Sequence, residues 1–286
     1  DKSLAKRRLA FTSAAQLLPA LVGGEAQDRR LRLRGRDRIA HRTYGPAIIK
    51  DPKEKLVSSG VDVWLKRVRY PVIDKWYKSG DYHADNGDGL DNYKVGPNRG
   101  CGGTAVWVDG KPFVSSNFSK WKVIANGPIR SEFELSFDEW DAGGRKVSEV
   151  KRMSIDAGSN FTKVASVFSS GKPGSLTTAI GIIKREGEAK LAKDPQGTWM
   201  SYWEPELAPN GNTACAVLIP GGIASGFGED AANHYILGKA TTGKPFVYYF
   251  GAGWSKSGDF PDAAAWEANV DLLAKRLKTP LAVTVK

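Results

Sequence analysis

The chain has 286 residues, 41% of them hydrophobic, with 42 Lys+Arg against 31 Asp+Glu and a formal net charge of +11. That length suffices to bury one substantial core, and 32 glycines with 15 prolines fit many short strands joined by turns better than a helical bundle. Residues 1–36 hold nine Lys/Arg against Asp1, Glu25 and Asp28, a net +6, which leaves 11 − 6 = +5 for the rest: too mild an excess to demand nucleic acid, and compatible with an anionic substrate.

Residues 2–26 set basic side chains before a moderately apolar stretch that ends in small residues. This is the layout of an export signal, with Arg7-Arg8 hinting at a twin-arginine variant; an irregular arm over residues 1–27 is the alternative. A signal would direct the protein to the periplasm or outside the cell. No stretch approaches the ~20 apolar residues of a membrane span, so neither a membrane nor nucleic acid is expected as a partner. A single domain is expected over residues 28–286.

Arg38 to Ile49 reads as a strand ending at Gly45-Pro46, and Val61 to Val72 as a second one, with Val61, Val63, Leu65 and Val68 opposite a polar face of Asp62, Lys66 and Arg67. From Thr104 to Phe168 the pattern predicts an antiparallel meander that turns at Asp109-Gly110, Asn126-Gly127, Ala142-Gly143-Gly144 and Ala157-Gly158-Ser159. Further strands are predicted near Thr177–Ile183, Thr213–Ile219, Tyr235–Ala240 and Pro245–Gly251. Asp262 begins a helix with Trp266, Val270, Leu273 and Leu277 on one face and Pro280 closing it, and Leu281–Val285 reads as a returning strand. The fold class is therefore mainly β, a sandwich or barrel with a C-terminal helix, and not a nucleotide-binding βαβ fold.

The segment from Trp76 to Gly103 is long, rich in Gly and Asp, and yet aromatic. It combines Trp76, Tyr77, Tyr82 and Tyr93, which suit stacking on sugar rings, with Lys94 and Arg99, which suit a carboxylate or sulfate, and with the titratable His83. Asp81, Asp85, Asp88 and Asp91 are clustered as calcium ligands are, but the EF-hand register fails, with Gly96 and Arg99 where its glutamate belongs. An irregular calcium site is the remaining metal alternative, on Asp85, Asp88 and Asp91; no other cofactor is expected. Residues 96–103, GPNRGCGG, lack the ending and the helix of a phosphate loop, so close backbone packing explains those glycines better. Two patches offer further cleft walls: residues 199–205 with Trp199, Tyr202, Trp203 and Glu204, and residues 233–235 with His234. His41 alternates with an apolar run and reads as a strand residue. No nucleophile elbow, metalloprotease helix or dinucleotide fingerprint is present. Cys101 and Cys215 lack metal or redox spacing; two buried free thiols are expected, with a single disulfide as the alternative.

The blocks DRIAHRTYGPA (37–47), VDVWLKRVRYPVIDKWY (61–77), DYHADNGDGLDNYKVGPNRGCGGTAVW (81–107), NGPIRSEFEL (126–135), SYWEP (201–205) and GKPFVYYFGAGWSKSGDFPDAAAWE (243–267) resemble an uncharacterised bacterial family of polysaccharide-utilisation gene clusters. That family includes an ulvan oligosaccharide dehydratase, and the resemblance runs over roughly residues 36–286. It implies a galactose-mutarotase-type antiparallel β-supersandwich. It also implies elimination of water from the terminal uronic acid of an acidic oligosaccharide, giving a 4,5-unsaturated sugar. His41 departs from the pattern, standing where an apolar residue is expected. The chemistry then assigns roles: a cation to neutralise the carboxylate (Arg99 and Lys94, with Arg130 behind them), a base for the C5 proton (His83) and an acid for the departing O4 (Tyr93, with Tyr44 or Tyr82 as substitutes). Trp76, Tyr82, Trp203 and His234 complete the expected substrate contacts. A glycosidic-bond lyase, a mutarotase-like epimerase and a non-catalytic carbohydrate-binding protein are the alternatives.

Overall fold

The computed structural model describes residues 8–12, 18–19, 38–50, 56–127 and 129–280, the first two stretches by backbone alone. In chain order the strands are β1 (Arg8–Thr12), β2 (Leu18–Pro19), β3 (Ala40–Tyr44), β4 (Asp62–Lys66), β5 (Gly89–Leu90), β6 (Cys101–Val108), β7 (Lys111–Phe113), β8 (Lys120–Asn126) and β9 (Arg130–Asp141). They continue with β10 (Lys146–Asp156), β11 (Phe161–Ser169), β12 (Ser175–Ile183), β13 (Lys190–Lys193), β14 (Trp199–Trp203), β15 (Thr213–Leu218), β16 (Ala224–Glu229), β17 (Asn233–Thr241) and β18 (Pro245–Trp254). The helices are α1 (Ile73–Ser79) and α2 (Ala263–Lys278). Three sheets result, with strand orders β2-β1-β3-β4-β5, β13-β14-β15-β18-β11-β10-β9-β8 and β16-β17-β12-β6-β7. The strand pairings are antiparallel. This is the antiparallel β-supersandwich with a C-terminal helix that the sequence predicts.

Alternation sorts the side chains. On β9, Ser131, Phe133, Leu135 and Phe137 are buried while Arg130 is exposed. The three hydrophobic ones share one continuous core with Val106, Ile180, Ile182 and Ile236 of the sheet β16-β17-β12-β6-β7 and with Met153, Val164, Tyr248 and Phe250. Glu149 and Lys151 are among the charges caught between the sheets. Glu149 accepts hydrogen bonds from Thr104 Oγ1 at 2.9 Å and Ser166 Oγ at 2.5 Å, and Lys151 Nζ lies 3.7 Å from it and over the Phe137 ring.

The other face of the eight-stranded sheet is covered by α2. Asp262 caps the helix by accepting from the Ala265 N–H at 2.8 Å, and Trp266, Val270 and Ala274 pack on Phe161, Trp203, Ala214, Ala216 and Leu218. The helix can approach because Gly253 has no side chain: a Cβ there would stand 2.8 Å from Phe260 and 2.9 Å from Trp266. Val63 and Leu65 of β4, and Val61 just before it, face the main core, while Trp64 on the opposite face packs with Ala40, Val72, Ile73 and Trp76.

Three expectations need correction. The face carrying Asp62 and Lys66 is buried, because α1 and its aromatics cover it and Asp62 is matched by Arg42 across the β3–β4 pair. The predicted meander is split: β6 and β7 belong to one sheet and β8 to β11 to the other. Trp76 sits in a helix rather than in a loop. Leu281–Val285 lies outside the described residues. No helix among the described residues is long and apolar enough to cross a membrane.

Candidate functional site

Strand β3, the segment Tyr82–Gly96 and Leu207 enclose a cavity of about 510 Å³, within the size range of small-ligand sites, lined by Arg42, Tyr44, Tyr82, His83, Asp91, Tyr93, Lys94 and their neighbours. A smaller cavity of about 250 Å³ shares Asn92, Lys94 and Leu207 with it and adds Arg185 and Glu204. Tyr82, in the cavity wall, is backed by an aromatic stack: it lies 5.2 Å and Trp76 5.3 Å from Trp64, centroid to centroid, and the Tyr82 ring lies 4.4 Å from that of His83.

His83 is well exposed, and its Nδ1 lies 2.7 Å from the Asp91 carbonyl oxygen. Since a carbonyl can only accept, Nδ1 carries the proton of the neutral ring, and Nε2 is left with the lone pair. Tyr93 is almost fully buried, its hydroxyl 3.5 Å from Cys215 Sγ, with the Arg185 guanidinium 4.6 Å from its ring centroid. Burial, reinforced by the neighbouring Cys215 and Glu204, pushes its phenol well above the usual range. Tyr44 donates to Asp62 at 3.0 Å and is raised likewise, first by burial and then by Asp62. Both phenols therefore keep their protons at neutral pH, the state of an acid and not of a base.

Arg42 is the cation set deepest in the wall. Its Nε donates to Asp62 Oδ2 at 2.7 Å and its Nη2 lies 2.9 Å from Asp91 Oδ2, while buried Nη1 has no hydrogen-bond partner. Glu204 is nine-tenths buried or more; Arg185 Nε donates to its Oε2 at 3.2 Å, and Oε1 has no partner. Burial raises its carboxyl to about 7, against the opposing pull of Arg185 and Tyr93.

Of the residues singled out from the sequence, His83, Tyr93, Tyr44, Tyr82 and Lys94 line the one cavity. Arg99 does not. It is buried between the sheets, donating to Ser59 Oγ at 2.9 Å, Pro97 O at 3.0 Å and Thr104 O at 3.2 Å, so its guanidinium is used up in holding its own loop. Arg130 stands on an exposed strand end in a two-pronged pair with Asp156. Trp76 and Trp203 are core residues, and His234 sits on β17, 3.6 Å from Glu229. Asp85 pairs with Arg67, Asp88 with Tyr70 and Lys75, and Asp91 with Arg42; among the described residues no group of three or more His, Cys, Asp or Glu is set to hold a metal ion. Both cysteines are free and buried.

Arg42 and Arg185 were missed, and Glu204 was noted only as part of an aromatic patch. The available signal was position: an arginine between His41 and Thr43 in an otherwise buried strand needs a matching acid, and Asp62 stands on the neighbouring strand.

Residues 36–283 match the family described as Domain of unknown function (DUF4861). The chain belongs to this family. It is 35% identical over 265 residues, 87% of its length, to Uncharacterized protein P7 of Formosa agariphila, and it spans 66% of that relative's length. Among solved structures, the GH36 alpha-galactosidase AgaB of Geobacillus stearothermophilus is similar over 76% of this chain and 39% of that one, with 7% identity and a TM-score of 0.35. The galactosidase domain of the alpha-galactosidase-sucrose kinase AgaSK is similar over 76% of this chain and 40% of that one, with 9% identity and a TM-score of 0.37.

Proposed function

We propose that the protein is a carbon–oxygen lyase that eliminates water from the non-reducing terminal uronic acid of acidic oligosaccharides, ulvan fragments among them, to give a 4,5-unsaturated uronate. The observation that carries this reading is the meeting, around one cavity, of an imidazole with a fixed tautomer, phenols kept protonated by burial, and the cations Arg42 and Lys94.

In the proposed reaction the substrate carboxylate lies toward Lys94 and the Arg42 side of the cavity, whose positive charges draw off the charge that builds up as the C5–H bond breaks. His83 Nε2 takes the C5 proton, and the bonding pair becomes the C4=C5 π-bond. The C4–O4 bond breaks toward oxygen, which accepts the Tyr93 proton and leaves as water. Acid and base of this kind each contribute roughly 100-fold to 10,000-fold in rate. Tyr82, on its stack with Trp64, offers a ring face to the sugar C–H surface.

The test is incubation with oligosaccharides ending in a uronic acid, followed by ultraviolet absorbance and mass spectrometry. Conjugated product lighter by one water supports the reading. Chain splitting without loss of water would make the protein a glycosidic-bond lyase, and binding without any product a carbohydrate-binding protein.

A further inference from the structure

Donation by Tyr93 leaves a phenolate in a buried setting where burial and nearby acidic groups disfavour it. The phenolate must be reprotonated quickly, and bulk water is kept from it. Glu204 is placed to do this. It directly follows β14 and lines the smaller cavity, whose walls at Asn92, Lys94 and Leu207 are also walls of the larger one. Its backbone is fixed, with the N–H bonded to Thr213 O at 2.8 Å and the carbonyl accepting from Asn212 Nδ2 at 3.1 Å. Arg185 links the two groups, its guanidinium 4.6 Å from the Tyr93 ring centroid and its Nε 3.2 Å from Glu204 Oε2, while Oε1 has no partner and the Tyr93 phenol pulls the carboxyl's pKa down. Thr104 and Ser166 match the interior glutamate Glu149; no such hydroxyl matches Oε1 of Glu204.

Resting on the elimination reading above, we propose that Glu204 is a positioning and proton-supplying residue that acts through Tyr93: its carboxyl proton passes to the Tyr93 oxygen after the phenol has protonated the leaving hydroxyl. The step is a proton transfer alone. Tyr93 returns to the neutral phenol, Glu204 becomes a carboxylate stabilised by Arg185, and water in the smaller cavity then restores its proton. The titratable groups around Glu204 are Arg185, Tyr93, Tyr202 and Cys215, with Lys94, Glu186 and Glu206 lining the same smaller cavity. The two phenols and the thiol have raised pKa values, and Arg185 stays charged, so Glu204 is the member that changes charge near neutrality.

The experiment measures kcat and KM of the full chain against pH on a uronate-terminated oligosaccharide, for wild type, Glu204→Gln and Tyr93→Phe. Carboxyl titration by carbon-13 NMR of glutamate-labelled protein runs in parallel. Wild-type kcat is expected to fall as pH rises through about 7, where Glu204 loses its proton. Glu204→Gln is expected to lower kcat roughly 100-fold with little change in KM and to remove that limb. One carboxyl signal, absent in Glu204→Gln, should titrate near 7 and move upward in Tyr93→Phe, because the phenol's hydroxyl favours the carboxylate. Retention of the limb in Glu204→Gln, a change in KM alone, or a Glu204 signal unmoved in Tyr93→Phe overturns the proposal. A shifted signal with no elimination by wild type would sink the elimination reading while leaving the pair in place; elimination unaffected by Glu204→Gln would do the reverse.

Discussion

Replacing His41 by leucine should make the protein more resistant to acid. His41 is wholly buried on the core face of β3, its ring 4.9 Å from that of Phe250, and burial holds its pKa down from 6.5 to about 3. As pH falls below 6.5 the unfolded chain takes up a proton at His41 that the folded chain refuses, so stability is present above 6.5 and is lost progressively toward 3. Each pH unit in that window costs about 1.4 kcal/mol, so two units, from pH 6.5 to about 4.5, cost about 3 kcal/mol, a large share of the ~5–15 kcal/mol of a typical domain. Glu204, raised to about 7, gains stability over the same window and His234, lowered from 6.5, loses some, but both are common to wild type and variant, so the difference between the two proteins isolates His41. Urea unfolding of wild type and His41→Leu at pH 7.5 and pH 4.5 reads this directly. Leucine nearly matches histidine in volume, so the two should agree within about 1.5 kcal/mol at pH 7.5, with the variant ahead by about 3 kcal/mol at pH 4.5. Parallel losses in the two proteins would refute the assignment.

Further outcomes follow from individual contacts. Tyr93→Phe keeps the ring under Arg185 and removes the acid, so kcat should fall by roughly 100-fold or more with KM nearly unchanged in steady-state assays. Arg42→Leu leaves Asp62 and Asp91 without their guanidinium and should cost about 3–5 kcal/mol in denaturant titration, whereas Arg42→Lys should fold and bind uronate about tenfold more weakly by calorimetry. Arg130→Ala removes only a solvent-exposed pair with Asp156 and should leave activity unchanged and stability within about 1 kcal/mol. Trp266→Ala empties the centre of the α2 interface and should cost about 3–5 kcal/mol, lowering the melting temperature.

The strands near Thr177–Ile183, Thr213–Ile219, Tyr235–Ala240 and Pro245–Gly251, the turn at Asp109-Gly110 and the cap of α2 were legible because local chemistry decides them. At Asp109-Gly110 both residues have positive φ, 48° and 76°, which turns β6 into β7, and Asp262 supplies the side-chain acceptor that starts α2. The allocation of strands to sheets was not legible, because the crossing between β7 and β8 is a matter of long-range packing that leaves no local mark. Helix α1 is seven residues long and packs aromatic residues that also suit a loop, so its period is too short to read. The candidate site divides in the same way. His83, Tyr93 and Lys94 lie in one continuous polar and aromatic segment, which composition alone singles out. Arg42, Arg185 and Glu204 come from three distant strands or strand ends, and only the folded register sets them beside that segment. Arg99 shows the opposite failure: a glycine-flanked arginine reads as a ligand, yet those glycines exist for contact. At Gly100, φ is +59° and a Cβ would stand 2.0 Å from the Val61 carbonyl oxygen, so the loop is pressed into the core and takes Arg99 with it.

The measurement closest to the central claim is the mass spectrum of an oligosaccharide with a terminal uronic acid after incubation with wild type and with His83→Ala. The account requires the wild type to yield a product one water lighter with ultraviolet absorbance at the new C4=C5 bond, and His83→Ala to yield at least about 100-fold less in the same time. Equal product from the two proteins, or cleavage of the chain with no loss of water, would contradict it.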